Sequence, residues 1–307
     1  MIQIEELAEM IETIRGKQLY YEDLGGADAS PLLYLHGGPG GIGAVDFVRY
    51  QGEALARRFR LIAPDQRGVW RSEAIAAHEA IELEDIVDDF EELRRQLHIP
   101  RWSLLSHSFG GYLAVLYAAR FPDAIERIVF ENPSFGFALS ERYLLQCQAE
   151  RLEQLGHSAA KYWSALQTDL GYPAVSVLLA QANEELGEHA EDTMWYGVDK
   201  RIVENLAMGS ENAGENWQKS LTMRRKILNA GRVYQDIFSL LSSIRHPCLL
   251  LKGNADPITC PVQIDAFSHR VPYTETTRFE KSGHWIHIEE PQCYAETVTE
   301  FLTKEIH

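Results

Sequence analysis

The stretch that decides the fold is RWSLLSHSFGGYLAVLYAARF, residues 101–121. Its first part, RWSLLSH (101–107), is a short, almost continuously apolar run, which is typical of a strand buried on both faces of a sheet. Its last part, GGYLAVLYAARF (110–121), is rich in small and apolar residues and predicts a helix. The sequence therefore predicts a strand and a helix that are joined by a tight turn.

Two serines, Ser106 and Ser108, lie at this turn. A nucleophile on a sharp strand-to-helix turn is crowded, so the residues two positions before and two positions after it have to be small. Around Ser108 those residues are Ser106 and Gly110. Around Ser106, the residue two positions earlier is the bulky Leu104. We therefore predict that Ser108 is the nucleophile, with Ser106 in a position where glycine is more common.

Strand and helix patterns alternate along much of the chain. Further strands are predicted at KQLYYEDLG (17–25), PLLYLH (31–36), FRLIAPD (59–65), IERIVFEN (125–132), HPCLLLKGNAD (246–256) and TTRFEKSGH (276–284). Further helices are predicted at ELEDIVDDFEELRRQL (82–97) and PQCYAETVTEFLTKEI (291–306). This alternation predicts the α/β fold class, with a mostly parallel central sheet flanked by helices.

The alternation stops between about residues 132 and 244. This stretch contains one helical pattern after another, such as SERYLLQCQAERLEQLG, and is too long for a single crossover connection. We predict an inserted helical cap domain at 133–243, between a first part of the core at 1–132 and a second part at 244–307.

A glycine-rich segment, HGGPGG (36–41), ends the strand predicted at 31–36. Glycines let the backbone approach a ligand and turn its N–H groups toward it. An oxyanion hole needs such donors where negative charge develops in the transition state. A simple turn is the alternative interpretation. Because the segment accompanies the serine turn, we predict that the backbone N–H groups of Gly38 and Phe109 are the oxyanion donors.

Two residues near the end of the chain are predicted to act together with Ser108. Asp256 follows the strand in HPCLLLKGNAD, and His284 follows the next strand, in SGHWIHIEEP. A serine hydroxyl needs a base to take its proton, and the base needs a carboxylate to hold its tautomer. Ser, Asp and His in this order at strand ends favour that chemistry. His287 is a rival base, but it lies deeper toward the following helix.

With these residues, the chain resembles the α/β-hydrolases and, among them, the proline iminopeptidase group. The resemblance rests on HGGPGG (36–41), DQRG (65–68) followed by RS (71–72), and SHSFGG (106–111), with support from GNAD and SGHWIHIEEP. It covers roughly residues 1–131 and 245–307. It implies a cap domain and cofactor-free cleavage of an N-terminal residue, often proline, from short peptides.

The resemblance also implies roles for individual residues of this chain. Ser108 matches the nucleophile, Asp256 the acid, His284 the base, Gly38 and Phe109 the oxyanion donors, and His36 the histidine that orders the oxyanion loop, in which Gly37 comes next. No metal and no cofactor is implied. One departure is DQRGVWRS, where Val69 and Trp70 replace a small residue and a glycine.

Three glutamates are candidates for binding the substrate. Aminopeptidases of this group hold the free α-amine of the substrate with glutamates of the cap, through charge-assisted hydrogen bonds. The candidates here are Glu211 and Glu215, in MGSENAGENW (208–217), and Glu131, in FENPS. Each of them also fits an ordinary solvated glutamate. Specificity for an amino terminus is therefore implied by the resemblance alone.

Composition and charge restrict the possible partners. The 307-residue chain has a net charge of −16, which argues against nucleic acid because phosphate binding needs clustered Lys and Arg. We find no signal-peptide pattern and no apolar run near 18 residues long, so we expect a cytoplasmic protein without membrane contact. The four cysteines show no CxxC spacing that would indicate a metal or redox site. The expected partner is a small molecule or a short peptide.

Two other functions fit the same residues. An esterase, lactonase or amidase would keep the triad and dispense with amine-binding carboxylates. A non-catalytic binding protein of the same fold is disfavoured by the complete set of Ser108, Asp256 and His284. A dehalogenase is disfavoured because that chemistry on this fold uses a carboxylate at the position of Ser108.

Overall fold

A computed structural model describes residues 9–199 and 201–305. Over these residues the chain forms strands β1 (Glu9–Ile14), β2 (Lys17–Leu24), β3 (Ser30–Leu35), β4 (Phe59–Pro64), β5 (Trp102–His107), β6 (Ile125–Glu131), β7 (Cys248–Gly253) and β8 (Thr274–Phe279). They form one sheet in the order β1-β2-β4-β3-β5-β6-β7-β8. β2 is antiparallel to both of its neighbours, β1 and β4, and the remaining pairs are parallel.

The helices lie between and beyond these strands. In the described part of the chain they are α1 (Val45–Phe47), α2 (Glu53–Ala56), α3 (Leu83–Gln96), α4 (Phe109–Arg120), α5 (Phe137–Gln154), α6 (Ala160–Leu166), α7 (Tyr172–Leu186), α8 (Ile202–Met208), α9 (Ala213–Ala230), α10 (Phe238–Leu241), α11 (Pro261–Arg270), α12 (Ile286–Glu289) and α13 (Pro291–Thr303). Among these described helices, none combines the length and the apolar composition that crossing a membrane requires.

The sheet has a hydrophobic core on each face. Along β3, Leu33 and Leu35 belong to one core, and Leu32 and Tyr34 belong to the other. Helices α3, α4 and α11 pack into the first core, and α13 packs into the second together with α1 and α2. Strands buried on both faces need apolar residues at successive positions, which explains the runs RWSLLSH and PLLYLH.

The predicted strands correspond to β2–β8, and β1 was not predicted from the sequence. β1 pairs with β2 at the edge of the sheet through the turn at Arg15 and Gly16, and it is only partly buried, with Ile11 and Thr13 exposed. Its sequence therefore lacks the apolar run that marks the inner strands. The last strand, β8, begins and ends earlier than predicted, and the residues after it form the loop that carries His284.

Residues 133–243, here called the helical segment, lie between β6 and β7. In its described residues this segment contains helices and no strand. Helices α5, α6 and α7 enclose a core of their own, to which Leu145, Tyr162 and Leu179 contribute. Helix α9 instead joins the main core through Met223 and Ile227. The domain limits given above, 1–132, 133–243 and 244–307, stay a prediction.

Candidate active site

Ser108 lies between β5 and α4 with φ 55° and ψ −120°. A non-glycine residue rarely has a positive φ because its Cβ is crowded there, so this turn is strained. Two glycines follow Phe109 and leave no room for a side chain, because a Cβ on Gly110 would lie 2.0 Å from the Leu35 oxygen and one on Gly111 would lie 2.5 Å from Pro133 Cβ. The turn places Ser108 at the carboxyl end of β5, where it lines a cavity.

Ser106 has a different environment. It is buried, and its Oγ donates a hydrogen bond to the carbonyl oxygen of Val129, on β6, at 3.0 Å. It is absent from the described lining of the cavity that Ser108 faces. Of the two serines in LLSHSFGG, Ser108 is therefore the one that a substrate can reach.

His284 and Asp256 form a buried pair, and His284 lines the same cavity as Ser108. Nδ1 of His284 lies 2.8 Å from Oδ1 of Asp256. Burial alone would raise the pKa of Asp256, but Lys252, His284 and the N–H of Thr259 together hold that pKa well below its usual range. Because the ionised carboxylate only accepts hydrogen bonds, Nδ1 of His284 carries the proton. Nε2 of a neutral His284, which lines the same cavity as Ser108, is then a proton acceptor.

The glycine-rich loop after β3 passes directly beside Ser108. A Cβ on Gly37 would lie 3.2 Å from Ser108 Cβ. Gly38 has φ 141°, a conformation that favours glycine, and it lines the cavity with Ser108. Phe109 is the first residue of α4, so its N–H has no acceptor within that helix. The N–H groups of Gly38 and Phe109 stay our candidates for the oxyanion donors.

His36 ties this loop to the DQRG segment. Its Nε2 accepts the backbone N–H of Gln66 at 3.0 Å, so the ring proton resides on Nδ1, which donates to the Gly37 oxygen at 2.7 Å. The side chain of Gln66 in turn donates to the carbonyl oxygen of His36 at 2.9 Å. Burial lowers the pKa of His36, in agreement with a neutral ring. These bonds hold the loop against Ser108.

The departure in DQRGVWRS has a structural explanation. Val69 and Trp70 are both buried. The backbone N–H of Trp70 donates to Ser220 Oγ at 3.0 Å, and its ring meets Trp217 edge to face, with centroids 6.5 Å apart. Both partners lie on α9, so Trp70 connects the helical segment to the core.

Glu131 is not available to a substrate. It is fully buried and accepts hydrogen bonds from His287 Nδ1 at 2.8 Å and from the Tyr294 hydroxyl at 3.0 Å. The prediction of Glu131 as an amine ligand is therefore corrected, because this carboxylate is already bonded below the site. His287, the rival base, is buried with it. Ligand atoms of His107, Glu131 and His287 lie within 4.8 Å of one another, but the bond between Glu131 and His287 already uses their facing atoms.

Glu211 and Glu215 also lie outside the cavity. Both are exposed, near the start of α9. The glutamate that does line the cavity is Glu141, on α5, whose Oε2 accepts a hydrogen bond from Ser176 Oγ at 3.0 Å. Burial raises the pKa of Glu141 to about 7. Glu141 was missed at the level of sequence, because the helix pattern around it contains several glutamates and does not show which of them turns toward the core.

The cavity has a volume of about 670 Å³ and lies between the sheet and the helical segment. Most of its lining is apolar, with Leu144, Leu179, Met194, Trp217, Leu228 and Trp285 among the contributors. The helical segment also contacts the candidate base directly, since the backbone N–H of His284 donates to the Met194 oxygen at 2.8 Å. Substrate would therefore be enclosed by both parts of the chain.

Comparisons with known proteins agree with this architecture. The profile of the alpha/beta hydrolase fold family matches residues 30–291. A probable proline iminopeptidase of Leptolyngbya boryana is 35% identical over 278 residues, which are 87% of this chain and 84% of that protein. Other matches are shorter: the chain covers 29% of the proline iminopeptidase of Arabidopsis thaliana and 36% of that of Neisseria gonorrhoeae.

Solved structures show the same fold. The proline iminopeptidase-related protein of Thermus thermophilus superposes with a TM-score of 0.74 at 24% identity, over 96% of this chain and 97% of that one. The enol-lactonase of Burkholderia xenovorans superposes with a TM-score of 0.68 at 21% identity, over 96% and 100% of the two chains. The solved structures agree in fold, and the profile match together with the Leptolyngbya boryana relative shows that the chain belongs to the α/β-hydrolase family, as a proline iminopeptidase-like member.

Proposed function

We propose that this protein is a serine aminopeptidase that removes proline or a small residue from the N-terminus of short peptides. The observation that carries the proposal is a single cavity lined by Ser108, His284 and Glu141. The first two would carry out hydrolysis, and the third would recognise the free amine. The likeness of most of the chain to a probable proline iminopeptidase supports the same activity.

In the proposed reaction, Ser108 Oγ attacks the carbonyl carbon of the first residue while His284 Nε2 takes the hydroxyl proton. Asp256 stabilises the resulting imidazolium through the 2.8 Å bond to Nδ1. The protonated His284 then gives its proton to the leaving amine, and the peptide bond breaks. Water, deprotonated by the same histidine, hydrolyses the acyl-enzyme and releases the amino acid.

Charge on the tetrahedral intermediate would be stabilised by the backbone. The N–H groups of Gly38 and Phe109 would donate to the oxyanion, at the N-terminal end of α4, where the helix dipole favours negative charge. The tie between His36 and Gln66 supports this role because it fixes the loop before substrate arrives. A preorganised donor requires no rearrangement in the transition state.

Glu141 would distinguish a free N-terminus from an interior peptide bond. Ser176 bonds to Oε2, and within the described ranges Oε1 has no hydrogen-bond partner. Oε1 is therefore free to accept an N–H from a substrate ammonium. Burial raises the pKa of this carboxyl group to about 7, and a bound ammonium would favour the ionised form.

The test is hydrolysis of the 4-nitroanilides of proline, alanine and leucine beside 4-nitrophenyl acetate and butyrate. Wild type, Ser108→Ala and the matched control Ser106→Ala are compared. We expect anilide turnover that disappears when the substrate amine is acetylated, is lost in Ser108→Ala and persists in Ser106→Ala. Unchanged activity in Ser108→Ala would refute the mechanism.

A second function, hydrolysis of a neutral ester or lactone, is favoured by the largely apolar cavity lining. Ester turnover without anilide turnover, still lost in Ser108→Ala, would support this alternative over the peptidase. A fluorophosphonate probe tests for a merely binding protein. Labelling of wild type but not of Ser108→Ala would exclude that alternative.

A further inference from the structure

Arg224 is a cation in the same cavity that the proposed reaction does not use. It lies on α9 and lines the cavity together with Ser108 and Glu141. Its Nη1 lies 3.5 Å from the carbonyl oxygen of Pro39, and its Cβ lies 3.3 Å from the point that a Cβ on Gly40 would occupy. Arg224 therefore lies over the oxyanion loop, close to where the scissile bond would be held.

The guanidinium of Arg224 has unused hydrogen-bonding capacity. Arginine offers five N–H donors, and the contact with Pro39 is a single bond at the long limit of the range. Among the described residues, no carboxylate forms an ion pair with Arg224. Arg67 and Arg71, by contrast, are paired with Asp89 at 2.5 Å and Asp65 at 2.7 Å. The remaining N–H donors of Arg224 are therefore available to an anion that enters the cavity.

Glu141 provides the opposite charge within the same cavity. Both groups line this cavity, and the positive charge of Arg224 lowers the pKa of Glu141 against the larger, opposite effect of burial. They are nevertheless too far apart for a salt bridge. A gap between two opposite charges fits a ligand that carries both charges at its ends.

We infer that Arg224 binds the C-terminal carboxylate of the substrate, so that the preferred substrate is a zwitterionic dipeptide held between Glu141 and Arg224. This inference rests on the proposed aminopeptidase function. A dipeptide carries an ammonium at one end and a carboxylate at the other, so its two ends can bind groups of opposite charge that line one cavity. The planar guanidinium can hold a carboxylate with two parallel hydrogen bonds.

The test compares kcat/KM for L-prolyl-L-alanine with kcat/KM for L-prolyl-L-alaninamide, which lacks the carboxylate charge. Wild type, Arg224→Gln and Arg225→Gln are assayed. Arg225 is the matched control because it lies on the same helix and is exposed. We expect wild type and Arg225→Gln to prefer the free acid by about tenfold or more, as for a charged hydrogen bond.

In Arg224→Gln the preference should fall to about one, through loss of activity on the acid alone. Unchanged turnover of the amide would show that this variant folds. Arg224→Lys keeps the positive charge but lacks the planar guanidinium, so it should restore part of the preference for the free acid. Equal turnover of acid and amide by wild type, or an equal loss of both in Arg224→Gln, would overturn the carboxylate site and leave the aminopeptidase standing. If neither dipeptide nor any anilide were cleaved, the proposed function and this inference would fail together.

Discussion

The ammonium of Lys252 donates to Oδ2 of Asp256 at 2.9 Å, while His284 holds Oδ1 of the same carboxylate at 2.8 Å. The lysine also donates to the carbonyl oxygens of Gly253 and Asp256, at 2.7 and 2.9 Å. Lys252 is buried, so its charge acts on Asp256 with little screening by solvent. The acid of the proposed triad is thus positioned from two sides, and Lys252 is a positioning residue.

Replacing this lysine tests how much the site depends on it. Removing one partner of a buried ion pair leaves the other charge uncompensated, so we expect Lys252→Met to lower the free energy of unfolding by about 3–5 kcal/mol. Urea denaturation at neutral pH measures the loss. Lys304→Met is the control, because the pair of Lys304 with Glu275 is more than half exposed and should matter little. Equal stability of the two variants would contradict the prediction.

Gly110 offers a test of the serine turn. Because a Cβ there would lie 2.0 Å from the Leu35 oxygen, Gly110→Ala must displace the turn. We expect kcat to fall by about 100-fold, as for a misplacement of roughly 1 Å, together with a loss of stability. Gly214→Ala, in α9, is the control because a Cβ at that position meets nothing within 4 Å. The prediction fails if the two variants have the same kcat.

Glu141 can be tested through the choice between amine-bearing and neutral substrates. We expect Glu141→Gln to lower kcat/KM for alanine 4-nitroanilide by about 10- to 100-fold, since a charge-assisted bond is lost, and to leave 4-nitrophenyl butyrate hydrolysis nearly unchanged. Glu150→Gln, at an exposed position of the same helix, serves as the control. A parallel loss on both substrates would indicate a structural role.

The same glutamate predicts a pH dependence. Burial raises the pKa of Glu141 to about 7, and only its ionised form attracts an ammonium. We therefore expect the ratio of anilide to ester kcat/KM to rise as the pH increases through about 7, up to the pH at which the substrate amine loses its proton. Taking the ratio removes the titration of the triad, which both substrates share. In Glu141→Gln this rise should be absent.

His287 predicts how stability depends on pH. Burial alone would lower its pKa, but the Glu131 and Asp46 carboxylates outweigh burial and raise that pKa to about 10. Above about pH 6.5 the unfolded chain loses this proton while the folded protein keeps it. The stabilisation is therefore complete below that pH and is lost as the pH approaches about 10, by at most about 1.4 kcal/mol per pH unit.

Urea unfolding across this pH range, in wild type and His287→Gln, measures the effect. The fall in unfolding free energy with rising pH should be shallower in the variant, even though the variant is less stable throughout. His269→Gln is the control, because His269 is exposed on α11 and should leave the wild-type slope unchanged. Identical slopes in wild type and His287→Gln would rule out a buried imidazolium.

The core of the fold was predictable because its strands are buried on both faces and therefore read as apolar runs. The position of Ser108 followed from steric rules for one turn, which act over only a few residues. Lys252 had a signal that was overlooked, namely a charged residue inside the apolar run of β7, just before Asp256. A buried lysine needs a partner, and the nearby aspartate was the obvious one.

Glu131 and Glu141 show where sequence reasoning reaches its limit. Glu131 is the last residue of β6, and the sheet edge at which such strands end is where substrate-binding residues are expected. The groups that surround Glu131, however, come from α12 and α13, far along the chain. Glu141 lies on a helix whose orientation is set by packing between the helical segment and the core. Helical periodicity shows which residues share a face, and it does not show what that face meets.

The close approach of Gly40 to helix α9 also bears on how such an enzyme can be re-engineered. A Cβ at Gly40 would lie 2.7 Å from the Ser220 oxygen, so main chain meets main chain at this point. If the helical segment were replaced by that of another hydrolase, the new segment would have to bring a helix backbone equally close to Gly40, whatever its side chains. Substrate selectivity can then be redesigned through the side chains of α5 and α7. The backbone contact between α9 and the glycine-rich loop should be kept unchanged.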